Sequence, residues 1–139
     1  MIERWNMFGI NKKCKPEEWF RTAEKLSRKH KLEAPYGSLF EYYLSTTWVT
    51  KRDNHGHYDF FRYAQATDKF DDVIKDLYSI LPPHLLQNFA EALEKFNALG
   101  EDPDYEDMCA ALDPHDDYAF DRDEELAEII KNYIELNYL

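Results

Sequence analysis

The sequence predicts an all-α single domain of six or seven helices spanning residues 1–139, and three observations carry that prediction. Apolar residues recur at helical spacing in most of the chain. Only four glycines are present, and no stretch sustains the period-two alternation of a half-buried strand. Finally, 44% of residues are hydrophobic and 16% aromatic, which suits a packed core rather than a charge-dominated disordered chain. At this length roughly two thirds of the unfolded surface can be buried.

The first element is a basic helix at about 15–31, with Pro16 at its first position, Glu17 and Glu18 near its positive end, and Trp19, Phe20, Ala23 and Leu26 on one face. Pro35 and Gly37 break it. Leu39, Phe40, Tyr43, Leu44 and Trp48 mark a second helix, whose end, Thr46, Thr47, Val49 and Thr50, is also compatible with a strand. "KRDNHGH" reads as a polar turn and "YDFFRY" as an aromatic cluster. Phe70, Val73, Ile74, Leu77, Tyr78 and Leu81 form the clearest amphipathic stripe, and Pro82 and Pro83 separate it from the helix of Leu85, Leu86, Phe89, Ala92, Leu93 and Phe96. Gly100 stops that helix. A short helix with Asp102 as N-cap and Pro103 first carries Tyr105, Met108, Cys109 and Leu112. After a "DPHDDYAFD" loop, Leu126, Ile129, Ile130, Tyr133 and Ile134 give the last helix its buried face.

Charge is distributed unevenly. Residues 1–63 carry 12 Lys and Arg against 8 Asp and Glu, whereas residues 64–139 carry 5 against 20, so the C-terminal half is strongly acidic. The acidic helical region is about 101–137, and within it, from Glu101 to Glu128, the acids Glu101, Asp102, Asp104, Glu106, Asp107, Asp113, Asp116, Asp117, Asp121, Asp123, Glu124, Glu125 and Glu128 face a single base, Arg122. Such a field repels nucleic acid and anionic membrane and attracts basic proteins. Capping accounts for Asp102, Asp121 and Asp123, and the helix dipole favours Glu124, Glu125 and Glu128. The rest are unexplained by local structure, because like charges at helical spacing cost a few tenths of a kcal/mol per pair. Glu124, Glu128 and Glu135 are expected to face away from the apolar stripe, making a folded acidic surface rather than a tail. Carboxylates one turn apart stand about 5 to 6 Å from each other, a spacing comparable to that of phosphates along a nucleic-acid strand. Ordinary solubilising acidity makes the same composition.

Specific chemistry is sparse. A calcium loop begun at Asp102 places Asp107 where glycine is needed, and one begun at Asp113 places Tyr118 there. His55 and His57, flanked by Asp53 and Asp59, are weak transition-metal candidates in a turn where histidines are ordinarily solvated, while His30, His84 and His115 make no metal pair. No catalytic motif is recognisable. The expectation is a non-enzymatic protein with no cofactor and no metal. Cys14 and Cys109 form no C-x-x-C, and "MIERWNMFGINKKCKPEEW" has no apolar stretch before a cleavage site; with no spanning segment, the expected compartment is the cytoplasm.

Two stretches resemble the bacterial family of helical domains that includes DNA-mimic protein nineteen. "NHGHYDFFRYA", through Asn54, Gly56, Tyr58, Asp59 and Phe61, is similar to its glycine turn and aromatic helix start; "LDPHDDYAFDRDEELAEIIKNYIELN" is similar to its closing acidic turn and helix. His57 and Phe60 depart from the family's second Gly and Gln, and the basic first helix has no counterpart in it. The resemblance implies a helical fold and, for the named member, a DNA-like acidic face. The resulting expectation is an acidic inhibitor that occludes the basic surface of a DNA- or RNA-binding protein without touching nucleic acid or membrane. The alternative is an immunity protein for a toxin such as a nuclease. The basic patch of Lys12, Lys13, Lys15, Arg21, Lys25, Arg28, Lys29 and Lys31 adds the option of a homo-oligomer.

Overall fold

The chain builds seven helices and no strand among the residues described by the computed structural model, 17–47 and 56–139. They are α1 (Glu18–Arg28), α2 (Tyr36–Thr46), α3 (Gly56–Ala66), α4 (Phe70–Ile80), α5 (Pro83–Leu99), α6 (Tyr105–Phe120) and α7 (Asp123–Tyr138). The expected all-α class holds.

α2 is the hub, packing against α1, α3, α4, α6 and α7. Leu39, Phe40, Tyr42 and Thr46 are therefore buried on different sides of one helix, so its hydrophobic residues do not form a narrow stripe. The core around it is aromatic: Tyr42 meets Phe60 and Phe89 edge to face at 5.2 and 5.3 Å, and Phe61 lies 5.0 Å from Phe96. Such pairs add about 0.5–1.5 kcal/mol each beyond area burial. Leu77, Leu85, Leu112, Leu126, Ile130 and Ile134 close the core from α4 to α7.

Several boundaries differ from expectation. α1 stops at Arg28 because His30 adopts a left-handed conformation and the Lys31 N–H reaches back to the Leu26 carbonyl at 2.8 Å, a closing bond that needs no glycine. Thr46 and Thr47 belong to a helix end, not a strand: their hydroxyls donate to the carbonyls of Tyr42 and Tyr43. Pro16, Cys14, Trp48, Val49, Thr50, Asp53, Asn54, His55 and the basic residues Lys12, Lys13 and Lys15 lie outside the described residues. Gly56 and His57 are not a solvated turn; both are buried in the first turn of α3. Leu77 in α4 and Leu81 just after its end turn inward, while Tyr78 is exposed.

The largest correction concerns "DPHDDYAFD". It is not a loop: α6 continues from Tyr105 to Phe120 with Pro114 inside it. A proline there removes one helical hydrogen bond. Tertiary contacts outweigh this, since Leu112, His115 and Ala119 are buried and α6 lies along α5 and α3. Asp102 is not the N-cap; it sits at φ 51°, and Asp104 holds the cap position ahead of Tyr105, which is exposed rather than packed. Asp121 ends α6 and Asp123 is the first residue of α7. Neither α6 nor α7 has a side-chain hydrogen bond to its N-terminal amides, so capping does not account for these carboxylates.

Candidate interaction face and the buried junction beneath it

Eleven of the 13 predicted acids are exposed: Glu101, Asp102, Asp104, Glu106, Asp107, Asp113, Asp117, Asp121, Glu124, Glu125 and Glu128. On α6, Glu106, Asp113 and Asp117 fall within a narrow stripe, given about 100° per residue, and span about 16 Å of helix. Asp121 continues it to the turn, beyond which Glu124 and Glu128 stand one turn apart on α7. The lone base, Arg122, has its guanidinium stacked 3.5 Å over the Tyr118 ring and donating to the Tyr118 carbonyl, so a single positive charge stands against eleven exposed carboxylates. Glu125 accepts from the imidazole of His84 at 2.6 Å. Glu135, expected to be outward, is half-buried.

Asp116 and Asp123 are the two acids that are not fully exposed. Asp116 turns toward α3, where one carboxylate oxygen accepts from both the His57 backbone N–H at 2.9 Å and the ring Nδ1–H at 2.6 Å. His57 Nε2 in turn accepts from the Tyr42 hydroxyl at 2.7 Å. Burial first, then the charge of Asp116, pushes the Tyr42 phenol far above its ordinary range, so it remains a donor. Gly56 is required at this approach: its φ is +51°, and an added Cβ would lie 2.4 Å from the Asp116 carboxylate.

Tyr42, His57 and Asp116 have the order of a proton relay, but Tyr42 and His57 are completely buried and the group lies outside both surface depressions described below. Its physical effect is to tie α2, α3 and α6 together. Because both His57 ring nitrogens are engaged, it is not a free metal ligand, and its expected partner His55 lies outside the described residues. No three His, Cys, Asp or Glu side chains converge on a metal position among the described residues.

A second polar pair lies alongside, where His115 Nδ1 donates to Asn88 Oδ1 at 2.8 Å and the Asn88 amide donates to the His115 carbonyl at 3.0 Å. Burial, then Lys95 and His57, hold the His115 pKa below the ordinary value. Its Nε2 is buried without a hydrogen-bond partner among the described residues. Together the two pairs dock the inner face of α6 while its acids point outward. Sequence reasoning placed Asp116 with the outward acids and missed Tyr42, Asn88 and His115, which lie far apart in the chain and belong to no motif.

Two open depressions lie among the described residues. One of about 490 Å³ lies at Lys69–Asp72, and the other, about 500 Å³, between Arg62 and Gly100. Among the described residues no helix is long and apolar enough to cross a membrane. No family model, curated protein or solved structure matches this chain.

Proposed function

We propose that this protein is a non-enzymatic, acidic binding protein whose α6–α7 face occludes the basic surface of a nucleic-acid-binding protein. The observation that carries the reading is the row of exposed carboxylates on α6, which Asp116 and His115 dock from behind, followed past the turn by the exposed Glu124 and Glu128 of α7. The helix dipole favours the acids in the first turns of α6 and α7, but it does not account for Asp113, Asp117, Asp121 and Glu128, which lie beyond those turns. Held on packed helices, they form a fixed array, and fixed charges lose less side-chain and backbone freedom on binding than a tail would. The resemblance to the DNA-mimic family supports the same reading, as does the engagement of His57 and Tyr42 within the core rather than at a surface. Association would be fast and salt-sensitive.

The test is capture of partners from nuclease-treated bacterial lysate on the immobilised chain, followed by competition with duplex DNA. A basic nucleic-acid-binding protein displaced by DNA, and no longer retained by Asp117→Lys/Glu124→Lys/Glu128→Lys, is the expected result. Retention unchanged by that triple reversal would sink the mechanism, and a single partner that resists both salt and DNA would point to a toxin instead.

A further inference from the structure

The basic end of the molecule offers a second surface. Tyr36 stacks on Tyr133 at 3.8 Å and the Tyr133 hydroxyl donates to Glu33 at 2.5 Å, which fixes the last turns of α7 beside the α1–α2 turn. At the other end of the same helix pair the Tyr43 pKa is raised, by burial first and then by the charge of Asp123, which places the start of α7 near the end of α2. α7 thus runs antiparallel to α2, and its acidic start and its C-terminal end are separated by roughly 15 Å or more along the axis.

Lys25, Arg28, Lys29 and Lys31 are exposed at the end where α1 turns into α2. Among the described residues Lys25, Lys29 and Lys31 form no ion pair, and Arg28 reaches only Glu24 at 3.8 Å. Leu136, 85% exposed, and Tyr138, 42% exposed, stand at that same end. Exposed apolar side chains at an end that carries four exposed bases and the exposed Glu33 have the composition of an interface with a polar rim. The acidic region also has an exposed apolar side chain, Phe120, 42% exposed, within four residues of the exposed Asp117, Asp121 and Glu124 in the chain.

We propose that this basic, apolar end docks on the acidic α6–α7 face of a second copy of the chain. Opposite charge at opposite ends cannot be neutralised within one molecule, and between copies it favours a head-to-tail contact, which is heterologous and can repeat. Self-association would then cover the acidic face and compete with any basic partner. The inference does not depend on the function proposed above, since it is read on the chain alone.

Sedimentation velocity of the full chain across a concentration series, at low and at high salt, tests it. Dimers and larger species are expected at low salt and their loss at high salt. Lys25→Glu/Lys29→Glu/Lys31→Glu and, separately, Asp117→Lys/Glu124→Lys should each weaken association roughly tenfold or more. Leu136→Ser should weaken it with no change of charge. An equimolar mixture of the two reversed variants should associate again, because each reversed surface then meets its complement. Circular dichroism checks that each variant is folded, and Leu136→Ser keeps the test open if a reversal is not. A monomer at every concentration in low salt, association indifferent to the reversals and to Leu136→Ser, or a labelled DNA duplex occupying the basic end in place of a second copy would overturn the proposal.

Discussion

Two neighbouring aspartates on α6 have different roles, and a one-residue step decides which. Asp117 is exposed, whereas Asp116, about 100° around the helix, accepts two hydrogen bonds from His57. Asp116→Ala leaves those donors without an acceptor and is expected to lower unfolding free energy by about 2–4 kcal/mol, while Asp117→Ala should stay within about 0.5 kcal/mol; urea denaturation of the two variants separates them. Gly56→Ala combines a positive φ with a Cβ only 2.4 Å from that same carboxylate, so a loss of about 2 kcal/mol or more is expected in the same assay. His115 supplies a pH dependence. Its folded pKa lies below the ordinary histidine value of 6.5, held down by burial and then by Lys95 and His57, against Glu91 and Asp116. The unfolded chain therefore binds that proton more readily, and the stability linked to His115 is present above about pH 6.5 and is lost as pH falls below it. The stability difference between wild type and His115→Gln should shrink when denaturation is repeated at progressively lower pH. Neither histidine was legible in the sequence as a buried group, because "HGH" and "DPHDD" are polar neighbourhoods; burial came from residues 59 and 27 positions away in the chain, Asp116 and Asn88 respectively.

At the scale of elements, α6 shows local preference yielding to packing. Pro114 and the charges around it read as a loop, yet the helix runs through them. Since Pro114 is exposed and lacks an amide proton, Pro114→Ala should restore a hydrogen bond to the Ala110 carbonyl and raise stability by about 1 kcal/mol, seen as a higher melting temperature. A fall instead would mean that the local distortion at Pro114 is needed to aim Asp116 at His57. α4 and α5 needed no such rescue. Their stripes and the Pro82–Pro83 junction place Pro83 first in α5 and Gly100 at its C-cap with φ +72°, as the pattern requires. α2 lies between these cases: its existence was legible, but a helix that touches all six others has no single periodic face to reveal how deeply it is buried.

Over the whole molecule the acids set the balance of long-range forces. Eleven exposed carboxylates between Glu101 and Glu128 repel one another within a folded chain of net charge −11, and that repulsion is screened by salt. Adding salt at neutral pH is expected to raise the melting temperature by a few degrees, while Asp117→Lys/Glu124→Lys should flatten that dependence; differential scanning fluorimetry across ionic strength measures both. The sequence by itself determined the helical class, the clear stripes of α4 and α7, and the separation of basic and acidic ends. These depend on periodicity and composition, which are properties of neighbouring residues. Only the tertiary structure decided that α6 is continuous, that Asp116 turns away from the acidic face, and that Tyr42, His57, Asn88 and His115 form its buried support. Hydrogen-bond partners this distant in the chain are selected by packing geometry, and no local spacing encodes which polar group the fold will enclose.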